Sequence, residues 1–401
     1  MRRSFLVLQG TASPFFDQIA KALRARGHDV RRVNFCGGDW LYSGGGDDWN
    51  YSGRLSDLEG WYSTLAQQHD FTDVIMFGDC REVHRHAHPV AAANGMRVHV
   101  FEEGYVRPYW VTLERHGVNG RSLLPRDPSW YLDRRSMTAY SKPGRPTGYS
   151  LYERAMHDMR YRGANFLYSR RFPHYVSHRP QNGFMEYSGL AVRSLLQRRH
   201  RQDAENVTRE LLRSDEPYYL FPLQLNSDAQ IVFHSPFDDV RGAIDKVIQS
   251  FARHAPQNSL LVIKNHPLDT GLVDYRHYAF KVAAGAGVAS RLRFIDAGHL
   301  PTLLEHAKSV VVVNSTVGLS ALYHRRPLIA LGKAVYAMTG LTWQGELDDF
   351  WSQVEPPDMH LYWAFHDYLI QHTQINGDFY TRSGIKMAVA GAVTRLESSN
   401  G

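Results

Sequence analysis

Five short polar clusters each stand just after an apolar run: Gln9-Gly10, Glu102-Glu103-Gly104-Tyr105, Gln224 to Asp228, Lys264-Asn265-His266-Pro267 and Asn314-Ser315-Thr316. A run of this kind reads as a buried strand whose carboxyl end leaves the core, and in open α/β sheets ligands bind beyond those ends. The clusters are therefore candidates for chemistry rather than packing. Lys264 and His266 offer the cationic and directional donors that a phosphate or a nucleotide needs, and Pro267 stops the strand and fixes the turn. A plain His-Pro turn is the other reading. Ser315 or Thr316 can cap the helix that follows, and the start of that helix offers free N–H groups to an anion; the two roles are compatible. Asp228 is suited to attack an anomeric carbon or to stabilise the positive charge that develops there, with Glu102 or Glu103 as the second carboxylate. N-capping is the alternative for Asp228. Gly104 is expected to give its turn conformational freedom.

The elements that must hold these clusters follow from the apolar pattern. Residues 4–9 read as a strand, 14–26 as a helix ending at Gly27, 29–35 as a strand, and 73–77 and 97–101 as strands on either side of a helical stretch at 82–94. Segment 36–53 is rich in Gly, Asp, Ser and Trp and reads as a loop at the edge of a cleft, without the Gly-Lys-Ser/Thr of a P-loop. A second series starts with a strand at 217–224. It continues through a helix near 239–253, strands at 260–264 and 291–295, a helix at 301–307, a strand at 309–313, a helix from 317 and a strand at 327–331, with a helical terminus at 378–397. Strands alternating with helices predict parallel sheets. The expected layout is an α/β chain of two Rossmann-like domains facing a central cleft. Residues 1–205 form the acceptor side and include a helical basic insert at 141–201; residues 206–375 form the donor side, and 376–401 a terminal helix.

Composition narrows the class. With 43% hydrophobic and 21% charged residues the chain is globular, and no run of about 18 apolar residues marks a membrane span. Met1-Arg2-Arg3-Ser4 is followed by only four apolar residues, too few for a secretory signal, so a cytosolic protein is expected. The two cysteines, Cys36 and Cys80, have no CxxC or Cys/His spacing, and the alternating His84, His86 and His88 lack a completing carboxylate pattern; no metal is expected. The net charge of +6 implies an anionic partner, and nucleic acid, an acidic sugar donor and an anionic bilayer all satisfy it. Ten arginines stand against three acidic residues between 151 and 201, interleaved with Tyr149, Tyr152, Tyr161, Phe166, Tyr168, Phe172 and Tyr175. Either this is a solvated basic helix pair, or it is a surface that meets anionic lipid headgroups. Because the basic residues sit in one segment without a nucleic-acid motif, nucleic acid is not expected as a partner.

The stretches LQGTASPFF, FGDCREVHRHA, VFEEGYVRPYWVTLE and GVNGRS resemble the capsule polysaccharide biosynthesis and export family of the KpsS/LipB type, and FPLQLNSDAQI, IKNHPLD and NSTVGLSAL resemble the donor half shared with the KpsC type. The resemblance covers roughly residues 5–330 in order. It implies a GT-B-like fold and a retaining β-Kdo transferase using CMP-Kdo, with no further cofactor, and a lysophosphatidylglycerol-type acceptor at the cytoplasmic face of the inner membrane. Peripheral association there, alongside a capsule assembly and export complex, is part of what it implies. By motif position Asp228, in Gln224-x-x-x-Asp228, matches the proposed nucleophile. Lys264 and His266 match a Lys-x-His-Pro element, and Ser315, Thr316 and Gly318 match a Ser-x-x-Gly turn, both holding CMP beside Asn314. Glu103 matches an acid/base position. Gly10, Asp79, Arg81, Glu102 and Arg107 complete the acceptor side or cleft. The chain departs from the pattern at Asn265 and at Leu319-Ser320. Another CMP-sugar transferase, of the sialic acid type, and a non-catalytic export component are the rival readings.

Overall fold

The computed structural model describes residues 2–43, 48–177, 183–225 and 229–398. Twelve strands are numbered in chain order: β1 (Ser4–Val7), β2 (Asp29–Asn34), β3 (Trp49–Asn50), β4 (Asp73–Phe77), β5 (Arg97–Glu103), β6 (Trp110–Arg115), β7 (Tyr218–Pro222), β8 (Leu260–Lys264), β9 (Leu292–Ile295), β10 (Ser309–Val312), β11 (Leu328–Ala330) and β12 (Gln374–Asn376). They form one sheet in the order β12-β6-β5-β4-β1-β2-β3 and another in the order β11-β10-β7-β8-β9. The chain divides into two compact units, the first made of Met1–Leu123, Ala139–His178 and Asp367–Gly401, the second of Leu124–Thr138 and Arg179–His366.

In the first unit β1, β2, β3, β4 and β5 run parallel. Successive side chains of a strand point to opposite faces, so Phe5 and Val7 enter one apolar layer while Leu6 and Leu8 enter the other. Burial on both faces explains why β1 reads as a continuous apolar run. Two antiparallel strands, β6 and β12, extend this sheet, with Ile375 opposite Val111. The last 35 residues therefore belong to the first unit, and helix Arg382–Glu397 packs Ile385, Ala388, Ala392 and Val393 into the layer of Phe5, Phe15 and Ile19. The terminal helix expected within 376–401 is thus Arg382–Glu397, and it covers the first sheet, which composition does not reveal. At the amino end of the sheet Asp73 is fully buried and accepts hydrogen bonds from Arg3 Nε (2.8 Å), Arg97 Nη2 (3.0 Å) and Thr72 Oγ1 (2.6 Å), with His99 Nε2 at 2.7 Å. Burial pushes its carboxyl up, but the hydrogen bonds from His99, Arg3 and Thr72 outweigh burial and hold it well below the usual carboxylate range.

All five strands of the second unit are parallel, and Tyr219, Phe221, Ile263 and Val311 pack with helix Val240–His254 and with Trp351. The expected basic insert divides between the units. Helix Leu151–Leu167 belongs to the first, where Gly38 N–H donates to Asn165 Oδ1 (2.6 Å) and the Tyr161 hydroxyl donates to Asp39 Oδ1 (2.7 Å). Tyr161 and Phe172 are buried, Tyr168 packs edge-on against Trp40 with centroids 4.5 Å apart, and the Tyr175 hydroxyl meets Gln9. Four of the seven aromatic rings of this segment thus serve packing. The expected loop at 36–53 contains the short helix Gly37–Leu41 that receives them. Helix Gly183–Arg213 belongs to the second unit and runs past the expected end at 201; it buries Ala204 and Leu211 and pairs Glu210 with Arg293 at 2.7 Å. Among the described residues no helix is long and apolar enough to cross a membrane.

Candidate functional site

The strand order of the second unit places β7 at its topological switch point: the chain goes from β7 to β8 and β9 on one side, then returns to β10 and β11 on the other. Ligands bind at such a point, outside the carboxyl ends of the strands. Three of the polar clusters sit there, after β7, β8 and β10, which are neighbours in the sheet. Gln224 bridges the switch. Its Nε2 donates to Asn314 Oδ1 at 3.0 Å, and Asn314 N–H donates to Gln224 Oε1 at 3.2 Å. Asn314 Nδ2 in turn donates to the His234 carbonyl at 3.1 Å. Gln224 and Asn314 are both buried, so their amide groups satisfy each other and fix the spacing of the two strand ends. Asn226, Ser227 and Asp228 lie outside the described residues, and the placement of the expected nucleophile with them.

After β10, Ser315 Oγ accepts the Val317 N–H at 3.2 Å, so Ser315 makes the turn into helix Val317–Tyr323, while the Thr316 side chain makes no capping bond. Gly318 is required by contact: a Cβ there would lie 2.1 Å from the Tyr336 hydroxyl oxygen. That hydroxyl donates to the Ser315 carbonyl at 2.5 Å. Tyr336 is a residue the sequence did not point to.

After β8, Lys264 is buried, and its ammonium makes one long hydrogen bond, to the Asn265 carbonyl at 3.5 Å. Burial and the nearby Arg193 push its pKa down, with Asp296 opposing them. A buried ammonium without a carboxylate at hydrogen-bond distance among the described residues is prepared for an anion. The loop carrying it is tied by charge. Asn265 Nδ2 donates to Asp269 (3.2 Å) and Asp296 (2.9 Å), and its Oδ1 accepts the His266 N–H (2.8 Å). Arg193 reaches from helix Gly183–Arg213 to the same two carboxylates, at 3.0 Å from Asp269 and 3.5 Å from Asp296. The departure at Asn265 is therefore the centre of the network that shapes the loop. His266 Nδ1 accepts the Leu268 N–H at 3.1 Å, which holds the imidazole in one orientation.

The first unit has a switch point of its own between β1 and β4. Arg81 spans it, with Nη1 donating to the Gly10 carbonyl (2.8 Å) and to Gln9 Oε1 (3.3 Å) and the guanidinium lying over the Phe77 ring. Gly10 itself serves packing, since a Cβ would meet the Phe16 ring at 2.5 Å. Asp79 is buried; among the described residues its Oδ2 has no hydrogen bond, and it stands 3.7 Å from Arg121 Nη1. His84 is fully buried, and desolvation with the nearby Arg81 holds it down to about 3, a neutral ring whose Nδ1 meets the Gly78 carbonyl at 2.6 Å.

Glu102 and Glu103 end β5. Glu102 Oε1 accepts the Glu103 N–H at 2.9 Å. Glu103 Oε1 accepts from the Tyr380 hydroxyl at 3.1 Å and stands 3.4 Å from Arg154 Nη1. Neither Arg154 nor Tyr380 carries a sequence signal, because each is far from Glu103 in the chain and lies in no motif. Gly104 keeps a negative φ, so the freedom expected of it is not what the turn uses; a Cβ would lie 2.2 Å from the Trp110 carbonyl oxygen. Arg107 is exposed and folds back toward the Gly104 carbonyl at 3.4 Å.

A family model described as "Capsule polysaccharide biosynthesis protein" matches residues 72–380. The chain is 38% identical over 381 residues to the "Capsule polysaccharide export protein KpsS" of Escherichia coli, covering 94% of this chain and 97% of that protein. To the "Capsule polysaccharide modification protein LipB" of Neisseria meningitidis serogroup B it is 33% identical over 388 residues, covering 94% and 92%. Among solved structures it is similar to the β-Kdo 2,7 transferase KpsC of Thermosulfurimonas dismutans, at 16% identity and a TM-score of 0.49 over 98% of this chain and 100% of that one.

Proposed function

The chain belongs to the capsule polysaccharide biosynthesis family, and on that premise we propose that it is a retaining glycosyltransferase that moves Kdo from CMP-Kdo to a phospholipid acceptor of the lysophosphatidylglycerol type. The observation that carries this reading is the buried Lys264 at the switch point of the second unit, beside the Gln224–Asn314 bridge and the Ser315 turn. A nucleoside monophosphate would bring a dianionic group to the buried ammonium and phosphate oxygens to the side of His266. CMP departs as a phosphate monoester whose developing charge Lys264 and His266 would stabilise. Asp228, proposed on its motif position alone, would form the glycosyl adduct, and Glu103 would take the proton of the acceptor hydroxyl. The acidic sugar and the phospholipid headgroup both suit a chain of net charge +6. Work at the cytoplasmic membrane face beside a capsule export complex belongs to the same reading, supported by relatives named for capsule export and modification.

The test is to incubate purified protein with CMP-Kdo and a series of lysophospholipids and to identify the product by mass and NMR, with CMP-sialic acid as the competing donor. Transfer of a β-linked Kdo that Asp228→Asn abolishes while CMP still binds is the expected result. Turnover of CMP-sialic acid alone, or tight CMP binding without transfer to any acceptor, would replace this reading with one of its rivals.

A further inference from the structure

Helix Leu151–Leu167 reads from sequence as part of a basic surface, yet its first turns bring an arginine to the end of β5. The helix is anchored within the first unit by the Tyr161 hydroxyl on Asp39 (2.7 Å) and by Asn165 on the Gly38 N–H (2.6 Å). That anchorage fixes Arg154, whose Nη1 is 3.4 Å from Glu103 Oε1 and 3.2 Å from the Tyr149 hydroxyl, with the guanidinium over the Tyr380 ring at 4.8 Å. The Tyr380 hydroxyl donates to the same Oε1 at 3.1 Å, and the Asp378 carboxylate holds the Tyr380 backbone by accepting its N–H at 2.8 Å. The Tyr380 hydrogen bond and the Arg154 ion pair thus converge on one oxygen of Glu103. Oε2 has no hydrogen-bond partner among the described residues, and the side chain is 29% exposed.

We infer that Arg154 and Tyr380 are positioning residues that fix the Glu103 side chain through Oε1, leaving Oε2 as the oxygen that accepts the proton of the acceptor hydroxyl. The inference rests on the transferase reading above and deepens it. It gives Glu103 the part of base in the transfer step, because the Tyr380 hydroxyl and the Arg154 ion pair fix Oε1 and leave Oε2 for the acceptor. In the transfer step the acceptor O–H bond breaks and its proton passes to Oε2. The acceptor oxygen then bonds to the anomeric carbon, and the bond from that carbon to its leaving carboxylate breaks with the electron pair returning to the carboxylate. The proton on Glu103 afterwards leaves to water.

A double-mutant cycle on the transfer rate tests this. Glu103→Gln should lose about 100-fold or more in kcat, the scale of general-base catalysis. Arg154→Met should lose about tenfold or more in kcat with little change in donor KM, Arg154→Lys should retain more of the rate than Arg154→Met, and Tyr380→Phe should lose several-fold. Added guanidinium should restore part of the rate of Arg154→Ala. The combination of Arg154→Met with Glu103→Gln should be no slower than Glu103→Gln alone, since the arginine acts only through the carboxylate. Additive losses in that double mutant, or Arg154→Lys no better than Arg154→Met, overturn the assignment while leaving the transferase reading intact. A wild-type protein that transfers nothing overturns the transferase reading and this assignment with it. Where Arg154→Met does not fold, Tyr380→Phe decides, because it removes only a hydroxyl, and an unchanged kcat in that variant overturns the inference.

Discussion

Lys264 shows how a single buried charge links stability to ligand. Burial and Arg193 lower its pKa from the ordinary 10.5, because the ammonium is hydrated poorly and repelled by its neighbour. A phosphate would supply the missing counter-charge. CMP affinity should therefore fall as pH rises from neutral toward about 10, earlier than an ordinary lysine would allow, and Lys264→Met should remove that slope as well as weaken binding by about 1–3 kcal/mol. Calorimetric titration across this range checks it; parallel profiles for the two proteins would take Lys264 out of the anion site. Asp73, on the first unit, is the opposite case, a buried carboxylate saturated by Arg3, Arg97, His99 and Thr72. Its pKa is lowered in the folded state, so its stabilisation is complete above the unfolded carboxylate value of 3.8 and is lost as pH falls below it. Asp73→Asn should destabilise the chain by about 3–5 kcal/mol near neutral pH, as loss of one partner from a buried pair does, and should flatten the acid limb of its denaturation curve. An unchanged acid midpoint in that variant would contradict the sign.

At the scale of elements, helix Gly183–Arg213 acts on the loop after β8 through Arg193, and Gly189 lets the helix come close, since a Cβ there would lie 2.3 Å from the Thr270 carbonyl oxygen. Arg193→Met should leave Asp269 and Asp296 underpaired. Hydrogen exchange at residues 265–271 should speed up, and CMP affinity should fall about tenfold, the consequence of losing roughly 1.4 kcal/mol of loop order. Exchange at the wild-type rate in that loop would show that Arg193 does not hold it. None of this was readable from the chain, because an ion pair between residues separated by 76 positions leaves no local pattern. The strand ends were readable for the opposite reason. β7, β8 and β10 are buried along their length, so each appears as an apolar run whose polar successor marks the carboxyl end. Strands β6 and β12 escaped notice, the first half-polar in the residues Trp110–Arg115 and the second only three residues long. Helix Tyr275–Gly285 buries only Tyr275, Ala279 and Ala283, too thin an apolar stripe to stand out. The same blindness hid Arg154 and Tyr380 from Glu103, whose own position after β5 the sequence did give.

For the whole molecule, the proposed phospholipid acceptor calls for a surface that meets a bilayer, since among the described residues no helix is long and apolar enough to cross a membrane. The seven aromatic rings of the basic segment do not answer as a group, since Tyr161 and Phe172 are buried and Tyr168 packs on Trp40. The outward side chains of helix Leu151–Leu167 are what the proposal would use. Tyr152 is 72% exposed, Phe166 82% and Leu167 74%, with Met159 also exposed between them, and Tyr152, Met159 and Phe166 recur at the spacing of one helix face. Arg162 is engaged with Asp158 at 2.8 Å and Arg171, though exposed, lies over the Trp40 ring, whereas Arg160 and Arg170 are exposed cations of this helix and its end. Aromatic and aliphatic side chains flanked by arginine suit the headgroup boundary of an anionic bilayer. Two variants separate the contributions. Arg160→Gln with Arg170→Gln should weaken binding to anionic liposomes and make it less sensitive to salt, because exposed charges are screened over about 8–10 Å at physiological ionic strength. Tyr152→Ser with Phe166→Ser should weaken binding at every salt concentration, by on the order of 2 kcal/mol for each large side chain withdrawn from the apolar layer. Both should slow transfer to a bilayer-embedded acceptor and spare transfer to a soluble acceptor analogue. Wild-type binding by both variants would return the segment to a solvated helix, and lost activity on the soluble analogue would mean that these residues serve the unit's own packing instead.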